Sequence, residues 1–134
     1  MPRLSAWYIR ASFLHLTLAV TYGALILTAK AVPGWGWSWM LFPSHIEEMA
    51  YGWMLQFVLG IAFWALPRYK HGPKRGDERP IWAAWGLLNL GIVLLTFDPW
   101  IEIGWIRLAG SMAEVLAVVI FTISAWPRIK PLGT

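Results

Sequence analysis

The sequence predicts an all-α integral membrane protein: a four-helix, up-down-up-down bundle with both termini on the cytoplasmic side. Three observations predict it. Hydrophobic residues fill 58% of the 134 positions and charged residues only 13%, where an ordinary soluble domain carries about 25% charged residues. Mean hydropathy is +0.55. The apolar residues gather into four runs, over about 7–31, 45–66, 81–97 and 103–126, each near the length that crosses hydrocarbon. Lys and Arg are divided unequally: with the N-terminus inside, nine lie on inner segments and two, Lys30 and Arg107, on outer ones. That asymmetry sets orientation. The whole chain reads as one transmembrane domain of the cell inner (plasma) membrane.

The elements follow in order. Span one, Trp7 to Ala31, carries Arg10 and His15 in its first half and a Tyr22-Gly23 pair later. It is a long apolar run without a small-residue cleavage site, so it reads as a membrane span and not as a leader peptide. The Pro-, Gly- and Trp-rich connection VPGWGWSWMLFPS follows, its indoles suited to the headgroup level. Span two opens at Pro43-Ser44, with Ser44 as N-cap and Glu47 or Glu48 in a first turn where the helix dipole favours an acid. It closes at Leu66-Pro67-Arg68, because proline lacks the N–H and restricts the residue before it. The polar loop RYKHGPKRGDERP comes next. Pro80 suits the first turn of span three, which carries Asn89 and ends at an Asp98-Pro99-Trp100 turn. Span four contains Glu114, and Pro127-Arg128-Ile129-Lys130 forms a basic stop.

Composition also excludes classes. The chain has no cysteine, so disulfides, thiolate zinc sites, iron–sulfur clusters and covalent c-type haem are ruled out. Its net charge of +4 sits in short segments between apolar runs, which argues against a nucleic-acid partner. No nucleotide loop, zinc-protease motif or nucleophile elbow occurs.

The stretch from Pro43 to Arg68 carries the functional signal. At 100° per residue, His45, Met49, Gly52, Gln56 and Gly60 fall on one stripe. Lipid does not select polar and small residues, so this stripe should face protein or a cofactor. His45 is a candidate axial ligand of a b-type haem; its other reading is an interfacial histidine bonded to the Trp-rich loop. Gly52 and Gly60 would admit a flat ring or a neighbouring helix. Glu47 and Glu48 are interfacial charges or the groups that orient His45. Glu114 is an acid inside an apolar run, read as a proton carrier, a partner that orients His45, or an ion pair with Arg107. Gln56 and Asn89 are amides that bond across helices. His15 should be a packed histidine about 20 Å from His45 along the membrane normal, counting 1.5 Å per residue on antiparallel helices. His71 is a solvated loop residue.

His45, then Gly52, Trp53 and Gly60, then Phe63-Trp64-Ala65-Leu66-Pro67-Arg68, resembles the second transmembrane helix of haem-copper oxidase subunit I. The nitric oxide reductase and cbb3-type branches are the nearest in pattern. The resemblance implies that His45 is an axial ligand of a low-spin haem b and that the chain corresponds to one four-helix arc, about a third of the large subunit. The copper-binding histidines, the high-spin haem ligand and the second low-spin ligand have no counterpart here, so the chain alone is not a complete reductase. No second histidine of the chain is expected to reach His45, so a sixth ligand would be His45 of another protomer, Met49 or Met112, which implies electron transfer, or the position is vacant, which implies O2 or NO binding. The resemblance also implies assembly as a homo-oligomer, with a trimer matching the three arcs of the large subunit, or contact with a respiratory-chain partner. The competing expectation is a cofactor-free membrane assembly subunit of a respiratory complex.

Overall fold

A computed structural model describes residues 1–101 and 103–130. The regular elements among those residues are all helical, with no strand. The elements are α1 (Arg3–Thr28), a 3-10 helix (Trp35–Leu41), α2 (Phe42–Glu47), a π segment (Glu48–Leu55), α3 (Gln56–Ala65), α4 (Arg79–Ile101) and α5 (Gly104–Ala125). A short 3-10 turn, Trp126–Arg128, follows. Three helical stretches, Arg3–Thr28, Arg79–Ile101 and Gly104–Arg128, are long and apolar enough to cross a membrane. Between 28% and 33% of their most apolar windows is buried within the chain. Most of each surface is therefore left to surroundings that accept Leu14, Leu108, Met112 and Ile123, all of which are exposed.

Local chemistry accounts for the boundaries. Pro2, at φ −67° and ψ 152°, is extended and starts α1 directly behind it. The helix thus begins before Trp7, and His15 falls at its midpoint. The connection turns at Gly34, whose φ of +84° suits a residue without Cβ. Pro43 lies in the first turn of α2, where its missing N–H costs nothing. Backbone at Glu47, Glu48, Leu55 and Gln56 stays right-handed helical, so α2, the π segment and α3 form one rod. That rod stops at Leu66, which is extended at ψ 144° because Pro67 follows. The third run does not end at Phe97: α4 continues through Pro99 to Ile101. The Arg107 guanidinium then donates to Asp98 Oδ2 at 2.7 and 3.0 Å, tying the ends of α4 and α5.

The helices pair in opposite directions. Gly60 meets Tyr8, Gly52 meets His15, and His45 meets Ala19 and Gly23, so the residue numbers fall along one helix as they rise along the other. α4 and α5 cross where Gly91 faces Gly110. The core has two parts. At the end that holds the N-terminus it is apolar: Leu4, Tyr8, Phe63, Ile81, Ala84, Leu88, Ala117, Phe121 and Ala125. Above it, the buried polar side chains include His15, Ser44, Glu48, Gln56, Thr96 and Glu114. Arg128, 1% exposed, closes the apolar end. It donates to the carbonyls of Phe63, Leu66 and Pro67 at 2.8 to 3.1 Å and lies 4.8 Å over the Phe63 ring. The expected basic stop is thus a C-terminal cap for α3.

Candidate functional site

The π segment decides which residues meet. Its i→i+5 bonds widen the turn to more than four residues. Side chains four apart therefore stay in line, where an α-helix would rotate them off by about 40°. The buried line is Ser44, Glu48, Gly52, Gln56 and Gly60. The stripe expected from a uniform α-helix divides: Gly52, Gln56 and Gly60 face the bundle, while His45 and Met49 turn to its side and are half-buried.

His45 and Met49 both line a cavity of about 520 Å³ beside the second half of α1, together with Gly23, Lys30, Trp39 and Phe42. His45 Nδ1 lies 2.8 Å from the Ala19 carbonyl. A carbonyl accepts only, so Nδ1 carries the proton and donates, which leaves Nε2 with its lone pair in the neutral ring. Gly23 makes room for the imidazole, since a Cβ there would lie 2.9 Å from His45 Cε1. The group that orients His45 is therefore a backbone carbonyl, and neither Glu47, Glu48 nor Glu114 takes that role. Trp39 and Phe42, from the Trp-rich connection, line the cavity beside the ring.

Glu48, 2% exposed, instead holds His15. His15 Nδ1 is 2.5 Å from Glu48 Oε2, and Thr96 Oγ1 donates to Glu48 Oε1 at 2.8 Å. Ser44 donates to the Thr96 carbonyl at 2.7 Å. On the other side, His15 Nε2 is 2.9 Å from Asn89 Oδ1. Asn89 Nδ2 donates to the Trp85 carbonyl at 2.8 Å, which turns Oδ1 towards His15 as an acceptor. Nε2 must therefore donate, and one further proton lies between Nδ1 and Glu48. The pair is neutral as a unit, which suits an apolar interior. Gln56 Nε2 approaches both Asn89 Oδ1 and the Tyr8 carbonyl at 3.4 Å.

The remaining expected residues fall into place around these two groups. Gly52 and Gly60 admit α1 and not a ring: a Cβ would lie 2.7 Å from His15 Cγ at Gly52 and 2.8 Å from Tyr8 Cβ at Gly60. Glu114 does not pair with Arg107, whose guanidinium is bound to Asp98. Its carboxyl instead approaches that of Glu47. Met112 is exposed on α5, away from the residues that line the cavity beside His45. His71 is exposed in the loop. His15 and His45 are closer than the expected 20 Å. His45 bonds Ala19, four residues from His15, a rise of about 6 Å. The difference arises because α1 starts at Arg3 and the second helical rod is continuous with the 3-10 turn, so neither histidine lies at the depth assigned from the apolar runs.

Sequence reasoning missed Gly23 as the seat of the imidazole, the Ala19 carbonyl, and the His15–Glu48 pair. Antiparallel register could have found Gly23 opposite His45; a backbone acceptor leaves no mark in sequence. Comparison with protein-family models, curated proteins and solved structures finds no match.

Proposed function

We propose that the chain is a four-span membrane protein, with both termini cytoplasmic, that binds haem b through His45. The α2–π–α3 rod is the fourth span, beside the three stretches that are long and apolar enough alone. The observation that carries the reading is the state of His45: its Nδ1–H is committed to Ala19, so Nε2 is free to ligate, beside a cavity of about 520 Å³ with largely apolar walls. Metal-binding histidines characteristically donate their other N–H in this way, which fixes the tautomer and raises ligand basicity.

The donor set favours a macrocycle over a bare ion. No three His, Asp or Glu side chains converge among the described residues, so a lone ion would find too few ligands. A haem brings its own four equatorial nitrogens and asks the protein for an axial one. Lys30 lines the same cavity and would supply a cation to a haem propionate. His45 would hold the group, with Met49 one turn further along the same rod lining the cavity beside it. A haem held there would supply electron transfer or O2/NO binding, and any further donor would come from a second copy, as a trimer of four-helix arcs would supply.

A reduced-minus-oxidised absorption spectrum of the purified protein tests this. The expected result is a sharp reduced α-band, lost in His45→Ala, and shifted by carbon monoxide if the second face is open. A colourless protein from haem-replete cells would overturn it. One observation favours the second reading, a cofactor-free assembly subunit: Gly52 and Gly60 are used for helix packing. Under that reading His45→Ala changes stability and partner capture but no visible band.

A further inference from the structure

We propose that the groove between α1 and α4 binds one anionic phospholipid, with its phosphate on Arg10 and an acyl chain laid along the groove. The site rests on the reading of these helices as membrane spans and is independent of haem: lipid retention reports the one, and the His45 spectrum the other.

The two helices run in the same direction. Tyr8 donates to the Ile81 carbonyl at 3.2 Å and His15 meets Asn89, so residue numbers rise together along both. Beside this seam lies a cavity of about 380 Å³. Trp7, Arg10, Leu14 and Leu18 form its wall on α1, and Trp85, Asn89 and Val93 its wall on α4. Trp7, Leu14, Leu18 and Val93 are exposed, so in a bilayer the cavity opens to lipid.

The occupant has to be apolar along most of its length. His15 and Asn89 line the cavity, but their polar atoms are engaged within the chain. His15 Nε2 and Asn89 Oδ1 bond one another, Asn89 Nδ2 donates to the Trp85 carbonyl, and His15 Nδ1 is held by Glu48. The leucines and Val93 suit a hydrocarbon chain. From Trp7 to Leu18 the groove runs about 16 Å at 1.5 Å per residue, close to the depth of about 15 Å in one leaflet's hydrocarbon.

One end of the groove is cationic. Arg3, Trp7, Arg10, Leu14 and Leu18 share one stripe of α1 at 100° per residue, which reads cation, indole, cation, leucine, leucine from the helix start. Arg10 is exposed. Helical side chains lean towards the N-terminus, so its long stem reaches back to the level of Trp7 and Trp85, whose rings lie 5.9 Å apart. Indoles favour the headgroup boundary, and a cation on an apolar stem favours the same place. The ion pairs among the described residues are His15–Glu48 and Arg107–Asp98, so Arg3 and Arg10 have no acid of their own there. A phosphate supplies the missing charge, and a guanidinium binds it through parallel N–H···O bonds. A phospholipid joins phosphate to chain in the order of the stripe. A net-negative headgroup is preferred, because a choline would set another cation beside two arginines.

The test is native mass spectrometry of the full-length protein released from nanodiscs that hold equal amounts of phosphatidylglycerol and phosphatidylcholine. The natural chain should retain one phosphatidylglycerol, favoured over phosphatidylcholine by about fivefold, the factor that one Arg near an anionic lipid contributes. Arg10→Gln should lower that retention about fivefold. Arg10→Lys should keep most of it, and Lys70→Gln, in the exposed polar loop, should leave it unchanged. The headgroup preference is read on the natural chain, so the outcome does not depend on any variant folding. Equal retention of the two lipids would overturn the proposal. So would an equal loss in Lys70→Gln and Arg10→Gln, which would mark unspecific surface charge, or displacement of the lipid by inorganic phosphate, which would mark a free-anion site.

Discussion

The His15–Glu48 pair makes the sharpest energetic prediction. Replacing Glu48 by Leu conserves volume but removes the acceptor for His15 Nδ1 and for the Thr96 hydroxyl. His15 cannot swing away, because α1 and the π segment are in contact there through Gly52. Breaking a buried pair from one side costs about 3–5 kcal/mol, largely from the uncompensated partner. Polar contacts between membrane helices are often weaker, about 0.6 kcal/mol on average. The burial, the 2.5 Å separation and the second donor place this pair above that mean, so we expect a loss of about 2–4 kcal/mol for Glu48→Leu. His15→Leu strands Glu48 and should cost a similar amount, about 2–4 kcal/mol. The double variant leaves neither group unpartnered and should lose far less than the sum. The coupling energy should reach about 1.5–3 kcal/mol. The assay is reversible SDS unfolding in mixed micelles, followed by the fluorescence of the 11 tryptophans. Additivity within about 0.5 kcal/mol would refute the reasoning.

Three further outcomes follow from single contacts. Gly52→Val drives methyl groups into His15 and should destabilise by about 1–3 kcal/mol in the same assay, as overpacking does; an unchanged midpoint would contradict the close approach of α1. Arg128→Gln removes charged donors from three carbonyls at the end of α3 and should lower stability by about 2–3 kcal/mol, with Arg128→Lys recovering only part because a point charge lacks the planar fork. Arg107→Ala breaks a pair whose Arg side chain is 74% exposed; it should shift stability by less than about 1 kcal/mol, and less still at high salt.

Much of the helical layout was legible in the sequence, since four apolar runs and proline-marked ends carry it. Leu66-Pro67 stops a helix wherever it occurs, and Pro80 opens one. The errors came where a boundary depended on context. Pro99 looks like a stop, yet α4 carries it in its last turns. Behind Pro2, α1 starts at Arg3, four residues before the apolar run suggests. The π segment from Glu48 to Leu55 had no signature, because its apolar pattern is compatible with either turn width. Its effect is large: it places Glu48 on the buried line and moves His45 and Met49 off it. Identifying His45, Gln56, Asn89 and Glu114 as residues of interest needed only their polarity within apolar runs. Assigning their partners needed the register, because Ala19 acts through its carbonyl and Glu47 meets Glu114 across two elements far apart in sequence.

The central claim is that Nε2 of His45 ligates haem. The most direct test is chemical rescue: the absorption spectrum of haem-loaded His45→Gly with and without free imidazole. Gly23 and the cavity remain to receive the imidazole, and the Ala19 carbonyl remains to orient it. The account predicts that the reduced α-band of the natural protein is absent from His45→Gly and returns when imidazole is added. An unchanged band in His45→Gly without imidazole would place any haem elsewhere and contradict the account.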